Sequence, residues 1–301
     1  MHRIAARRVS LEALALVLAL ACAGIALLAV ASRAAADSAP RVSPGSRYLA
    51  LGDSVTFGYQ EPQVQPPPDY AKAATFQGYP EHLGPALHLR VTNAACPGET
   101  SASLVDATAP SYGCENYPSA PNVGYRRSFP LHVSYKGSQL SYAVSFLKKH
   151  PATRLVSLMV GANDFFLCQK TTSDGCLARS EQQATLKTIK QKVHHILSAI
   201  RNKADYQGQL VILHYYSTDY GNSLLTGVVR SINGTNDAAA KGFHVAAADG
   251  FGEFRRASAH SDRNPCTAGL LTQLGHGSCG VHPSYSGQGL LALALERVIQ
   301  R

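Results

Sequence analysis

The run Tyr48-Leu49-Ala50-Leu51 stops abruptly at Gly52-Asp53-Ser54. An apolar run of this length, bounded by glycine, reads as a buried strand, although periodicity alone leaves a helix open. In an open α/β sheet, ligands bind just outside the carboxyl ends of the strands, and Ser54 would stand at such an end. A serine there can attack a carbonyl carbon if a base takes its proton; the plainer reading is that Asp53-Ser54 only caps a helix. Two further apolar runs end in polar groups: Leu89–Ala95 leads into Pro97-Gly98-Glu99, and Leu155–Val160 into Gly161-Ala162-Asn163-Asp164. A parallel sheet gathers its strand ends on one edge, so these segments can meet in space. Gly98 would offer an unobstructed backbone N–H, Asn163 a side-chain amide and Ser54 its own N–H, the donors an oxyanion needs during acyl transfer. Taken alone, Asn163 reads as a turn residue. Of twelve histidines, His282 is set apart by Cys279-Gly280-Val281-His282-Pro283-Ser284, a loop just before the last helix. It is the candidate base, against a loop histidine with a structural hydrogen bond.

The elements that must carry these groups alternate. Buried strands at 48–54, 89–95, 155–160, 210–216 and 243–248 are separated by helices at 79–89, 137–150 and 180–201, and by mixed loop and helix at 219–240. A helix from Tyr285 to Arg301 closes the chain. Such alternation implies a parallel sheet with helices on both faces and right-handed crossovers. Glu61–Asp69 holds Pro62, Pro66, Pro67 and Pro68 and must be a loop. Residues 107–136 form a long loop rich in Pro, Gly, Ser and Tyr, and loops of that length are usually functional or disordered. Tyr112, Tyr117, Tyr125, Phe129 and Tyr135 suggest that it packs over a pocket, with a surface decoration as the alternative.

The N-terminus reads as a targeting segment. Arg3, Arg7 and Arg8 precede an uncharged apolar run over residues 13–31, and Ala34-Ala35-Ala36 fit an export cleavage site. Residues 1–36 are therefore expected to be a signal peptide or a membrane anchor. The apolar run also approaches the ~20 residues that span a bilayer, so a membrane anchor over 13–31 is the second reading. Residues 37–46 read as a linker and 47–301 as the main domain, secreted or otherwise outside the cytoplasm and expected to be a monomer. Hydrophobic residues make up 45% of the chain and charged ones 16%, which suits a packed core and not a disordered chain. The net charge is +9. Removing the segment to 36 leaves 24 basic against 18 acidic residues, scattered without a dense run, which gives no nucleic-acid footprint. Six cysteines follow the leader, an even number that implies three disulfides in an exported chain. They fall into sequence-close pairs, Cys96 with Cys114, Cys168 with Cys176 and Cys266 with Cys279. No C-x-x-C pair supports a metal site, and no cofactor is expected.

Gly52-Asp53-Ser54, Gly98, Gly161-Ala162-Asn163-Asp164 and His282-Pro283-Ser284 resemble, in order, blocks I, II, III and V of the GDSL family, the SGNH hydrolases. The resemblance spans residues 47–300. It implies a flavodoxin-like three-layer α/β/α sandwich with a central parallel sheet. It also implies metal-independent hydrolysis of carboxylic esters through an acyl-enzyme, with Ser54 as nucleophile, His282 as base, and Gly98, Asn163 and the Ser54 amide as oxyanion hole. Cys-Pro-Gly-Glu-Thr-Ser and the paired cysteines are similar to secreted lipase-like members, whose substrates are small-molecule or lipid esters. A carbohydrate O-acetylesterase and an inactive envelope-binding protein on the same scaffold are the alternatives. The chain departs from the family at one position. The acid expected three residues before the histidine is Cys279. A backbone carbonyl in Ser278–Val281 is then the expected orienting group for His282, with Asp249 and Asp262 as rivals. Aromatic residues that follow strand ends, Phe57, Tyr59, Phe165, Phe166, Tyr216 and Tyr220, are candidate walls of the acyl pocket.

Overall fold

The middle strands of the sheet are predominantly apolar, and they are buried along nearly their whole length. These are β1 (Arg47–Gly52), β3 (Thr153–Met159) and β4 (Gln209–Leu213). A strand covered on both faces cannot alternate polar and apolar residues, which is why each reads as a continuous run. β2 (Arg90–Asn93) and β5 (Val245–Ala248) are shorter and partly exposed, as edge strands tend to be. All five are parallel in the order β2-β1-β3-β4-β5. That order reverses direction at β1, the switch point where a doubly wound sheet opens its ligand crevice. The architecture is the flavodoxin-like sandwich expected from the sequence. The computed structural model describes residues 39–301, of which Pro40–Arg301 form one unit. The leader over residues 1–36 lies outside the described residues.

Helices cover the sheet in two groups. On one side, α2 (Tyr79–Ala86) packs on α10 (Tyr285–Glu296), which packs on α9 (Gly250–Ala257). On the other lie α3 (Ser101–Val105), α5 (Gln139–Lys149), α6 (Ala162–Thr171), α7 (Arg179–Ser198) and α8 (Ser223–Ala240). Two short helices, α1 (Ser54–Phe57) and α4 (Tyr125–Ser128), flank the crevice. Part of the stretch read as linker belongs to this unit: Val42 is buried, and its N–H donates to Gln300 O at 2.9 Å. Among the described residues, no helix is long and apolar enough to cross a membrane.

The segment around His282 is not the loop expected. β6 (Leu271–Gly275) and β7 (Ser278–Pro283) form an antiparallel hairpin, and His282 lies on β7. The Cys266–Cys279 disulfide ties that hairpin to the turn before it. Cys96–Cys114 and Cys168–Cys176 complete the three sequence-local pairs.

Candidate active site

Ser54 is the first residue of α1, directly after β1. Asp53 caps this helix, its Oδ1 accepting Val55 N–H at 3.0 Å. Ser54 at the first helical position leaves its own N–H without an intrahelical acceptor. The turn into it needs a glycine: a Cβ on Gly52 would stand 2.3 Å from Thr56 Oγ1 and 2.5 Å from Met159 O.

His282 reaches this serine from the hairpin. Its Nε2 lies 3.0 Å from Ser54 Oγ, and its Nδ1 lies 2.7 Å from Glu61 Oε1. A carboxylate only accepts, so Nδ1 carries the proton and Nε2 is left bare to take one from the serine. The orienting group is thus Glu61, and the expectation of a carbonyl, Asp249 or Asp262 is overturned. The carbonyl of Val281 is occupied by Tyr216 Oη at 2.6 Å. Asp249 caps α9 through Gly252 N–H at 2.8 Å. Asp262 sits in a tight turn with φ of 54°.

Glu61 is held from several sides. Oε1 also accepts Val281 N–H at 3.0 Å, and Oε2 accepts the Thr272 hydroxyl at 2.5 Å. Gly280 makes the approach possible, because a Cβ there would lie 2.0 Å from Glu61 Oε1. Burial pushes the carboxyl upward, but the hydrogen bonds from His282 and Thr272 and the attraction of the imidazole outweigh it and hold Glu61 at about 2. Glu61 is not marked in the sequence as a partner of His282, because the two lie 221 positions apart. The available signal was an acid at the exit of the serine's own helix, opening a proline-stiffened loop.

Gly98 has φ of 81°, and a Cβ on it would meet Tyr112 O at 2.6 Å and Gly113 Cα at 2.7 Å. The turn that carries it is closed by the Cys96–Cys114 disulfide and by Tyr112 N–H donating to Gly98 O at 2.8 Å. Among the described residues, the Gly98 N–H finds no acceptor. Asn163, in the first turn of α6, points Nδ2 toward Glu99 O at 3.0 Å and Asp53 Oδ2 at 3.3 Å. Asp53 Oδ2 accepts from Tyr215 Oη at 2.5 Å. Burial raises the Asp53 carboxyl to about 6 against the hydrogen bonds from Tyr215 and the Val55 N–H. The adjacent Asp164 turns away and accepts Ser101 N–H and Oγ–H, which docks α6 on α3.

Ser54, Gly98, Asn163 and His282 all line one cleft of about 380 Å³. Its walls include Tyr59, Tyr70, Tyr112, Tyr117, Tyr125, Phe129 and Phe166. The loop 107–136 supplies four of these rings, so it does pack over the site. Tyr135 stands behind it, bonded to Ala94 O. Of the wall residues expected from sequence, Tyr59 and Phe166 line the cleft. Phe57, Phe165, Tyr216 and Tyr220 are buried in the core instead. The potential metal-ligand groupings among the described residues are Cys96, Glu99, Cys114 and Cys168, Cys176, Glu181; each contains a disulfide, whose sulfurs offer no thiolate.

The sequence matches the GDSL-like Lipase/Acylhydrolase family over residues 50–290, and the chain belongs to that family. It is accordingly a carboxylic ester hydrolase. No curated protein matches it. Among solved structures, a phospholipase A1 from Streptomyces albidoflavus NA297 is similar at 18% identity, covering 84% of this chain and 99% of the other with a TM-score of 0.52. A catalytic mutant of an acetylxylan esterase from Geobacillus stearothermophilus is 17% identical, covering 86% and 95% with a TM-score of 0.53. A GDSL-like lipase from Parabacteroides merdae ATCC 43184 is 14% identical, covering 86% and 98% with a TM-score of 0.52. At these identities the likeness concerns the fold.

Proposed function

We propose that this chain is an exported serine esterase of lipase-like type that works through an acyl-enzyme. The observation that carries the proposal is the continuous line Ser54 Oγ, His282 Nε2, His282 Nδ1, Glu61 Oε1, with contacts of 3.0 and 2.7 Å at the mouth of an aromatic cleft. Ser54 Oγ attacks the ester carbonyl carbon while His282 Nε2 takes its proton. The carbonyl π bond opens to an oxyanion, which meets the N–H groups of Ser54 and Gly98; the Asn163 amide joins them by turning its longer bond, the 3.3 Å contact to Asp53 Oδ2, toward the oxyanion while keeping the one to Glu99 O. Collapse breaks the bond to the alcohol oxygen, and His282 returns the proton to it. Water then attacks the acyl-enzyme by the same steps, releasing the acid and free Ser54. Glu61 acts through His282, fixing its tautomer and stabilising the imidazolium. The three disulfides favour an oxidising compartment and agree with export.

Seven tyrosine and phenylalanine rings line the cleft, and Tyr117, Val123, Phe129 and Val281 on its lining are each at least 40% exposed. Such a lining favours esters with an apolar acyl chain. Five of its rings are tyrosines, which also stack on sugars, so acetylated carbohydrate is the second substrate to test. Nitrophenyl esters of increasing chain length, set beside acetylated xylan, decide between them. Ser54→Ala should abolish hydrolysis of every one of these substrates, and retained activity would refute the mechanism.

A further inference from the structure

We propose that Gln139 is a positioning residue that holds the turn carrying the nucleophile in register with the turn carrying the oxyanion donor. β1 and β2 pair in register only as far as Ala50 and Asn93. Beyond that point the two chains diverge, one toward Ser54 and the other toward Gly98, and Cys96 N–H to Gly52 O at 3.2 Å is the last backbone bond between them. The side chain of Gln139 fills the gap. Its Oε1 accepts Gly52 N–H at 2.7 Å, and its Nε2 donates to Gly52 O and to Glu99 Oε2, both at 3.0 Å. Both amide hydrogens and one carbonyl lone pair are thereby used. The residue is 1% exposed and does not line the cleft, so it can act only through the turns it joins.

Glu99 is where this brace meets the oxyanion hole. It follows Gly98 directly; its Oε1 accepts the Ser103 hydroxyl at 2.5 Å, and its backbone carbonyl accepts from Asn163 Nδ2. One residue therefore links Gln139 on one side to Gly98 and Asn163 on the other. Gln139 itself is fixed at the first position of α5, a helix capped by the Ser138 side chain. The gap between Ser54 and Gly98 sets where the oxyanion forms relative to its donors, and misplacement of that kind is costly even at about 1 Å.

The inference rests on the Ser54 reading above, and the experiment separates the two. Gln139→Leu removes the three hydrogen bonds while keeping the volume near constant. It should lower kcat by about 10- to 100-fold while KM stays within about 3-fold, since the loss falls on the transition state. Combined with Asn163→Ala, it should cost less than about 3-fold beyond Asn163→Ala alone, because both act on one oxyanion hole. Glu99→Met severs the same brace from its other end and should reproduce this pattern, so either folded variant decides the matter. An unchanged kcat, a change confined to KM, or full multiplication with Asn163→Ala would overturn the role of Gln139. Ser54→Ala runs in parallel: if it is inactive while Gln139→Leu is normal, only the brace fails; if it is active, the nucleophile assignment itself fails.

Discussion

Replacing Glu61 separates charge from geometry at the histidine. In Glu61→Gln the amide orientation is set by its neighbours. Val281 N–H and His282 Nδ1–H both point at the Oε1 position, so the amide oxygen takes that place and the NH₂ faces the Thr272 hydroxyl, which can turn to accept it. The imidazole keeps its tautomer and loses only the facing charge. With the imidazolium charge spread over the ring, the separation is about 4–5 Å, worth roughly 3–4 kcal/mol at an effective dielectric of about 20. Both side chains retain some exposure, 14% for His282 and 16% for Glu61, and screening brings the loss to about half of that, or roughly 10- to 30-fold in kcat. Glu61→Ala removes the acceptor as well, frees the ring to adopt the wrong tautomer, and should cost about 10³- to 10⁴-fold. Steady-state hydrolysis of a short-chain nitrophenyl ester by both variants measures the ordering. A Glu61→Ala enzyme within about 3-fold of the parent would show that another group orients His282. Equal damage from both variants would refute the argument from amide orientation.

Two further outcomes follow from the same geometry. Gly98→Ala places a methyl against the backbone of Tyr112 and Gly113 at a left-handed φ; the shifted turn should lower kcat about 10²- to 10³-fold and the stability by about 1–3 kcal/mol, read by ester kinetics and urea unfolding. Burial raises the Glu99 carboxyl to about 8 against its hydrogen bonds from Ser103 and Gln139. Between the ordinary carboxylate value of about 4.3 and that figure the folded state holds a proton on Glu99 that the unfolded state has lost, so Glu99 contributes a fall in stability as pH rises through this window, of at most about 1.4 kcal/mol per unit, beside those of the other raised buried carboxyls, Asp53, Glu81 and Asp164. Urea midpoints at pH 5 and pH 8 test this: Glu99→Gln should flatten the dependence, and an unchanged slope would show that Glu99 does not carry it.

Four of the five residues of this site, Ser54, Gly98, Asn163 and His282 but not Glu61, could be read from the sequence because each is announced locally. Ser54, Gly98 and Asn163 follow apolar runs, and buried parallel strands place such residues at one sheet edge. His282 stands beside a cysteine and ahead of the closing helix. Glu61 had no such marker near its partner. It joins His282 across 220 residues through a hairpin whose strands are short, and Gly275, His276 and Gly277 at its turn read as loop. The position where the family's acid was expected is spent on the Cys266–Cys279 disulfide instead. Phe57, Phe165, Tyr216 and Tyr220 face the core and not the cleft for a related reason: following a strand end brings a ring close to the site but does not decide which way it turns.

The proposed chemistry requires Ser54 to be a nucleophile activated by His282. Incubation with a serine-reactive phosphonate ester, followed by intact-mass analysis and peptide mapping, measures this without assuming a substrate. The expected result is one covalent adduct on Ser54, absent from Ser54→Ala and formed far more slowly in His282→Ala. An unmodified Ser54, or an adduct on another residue with ester hydrolysis intact, would contradict it.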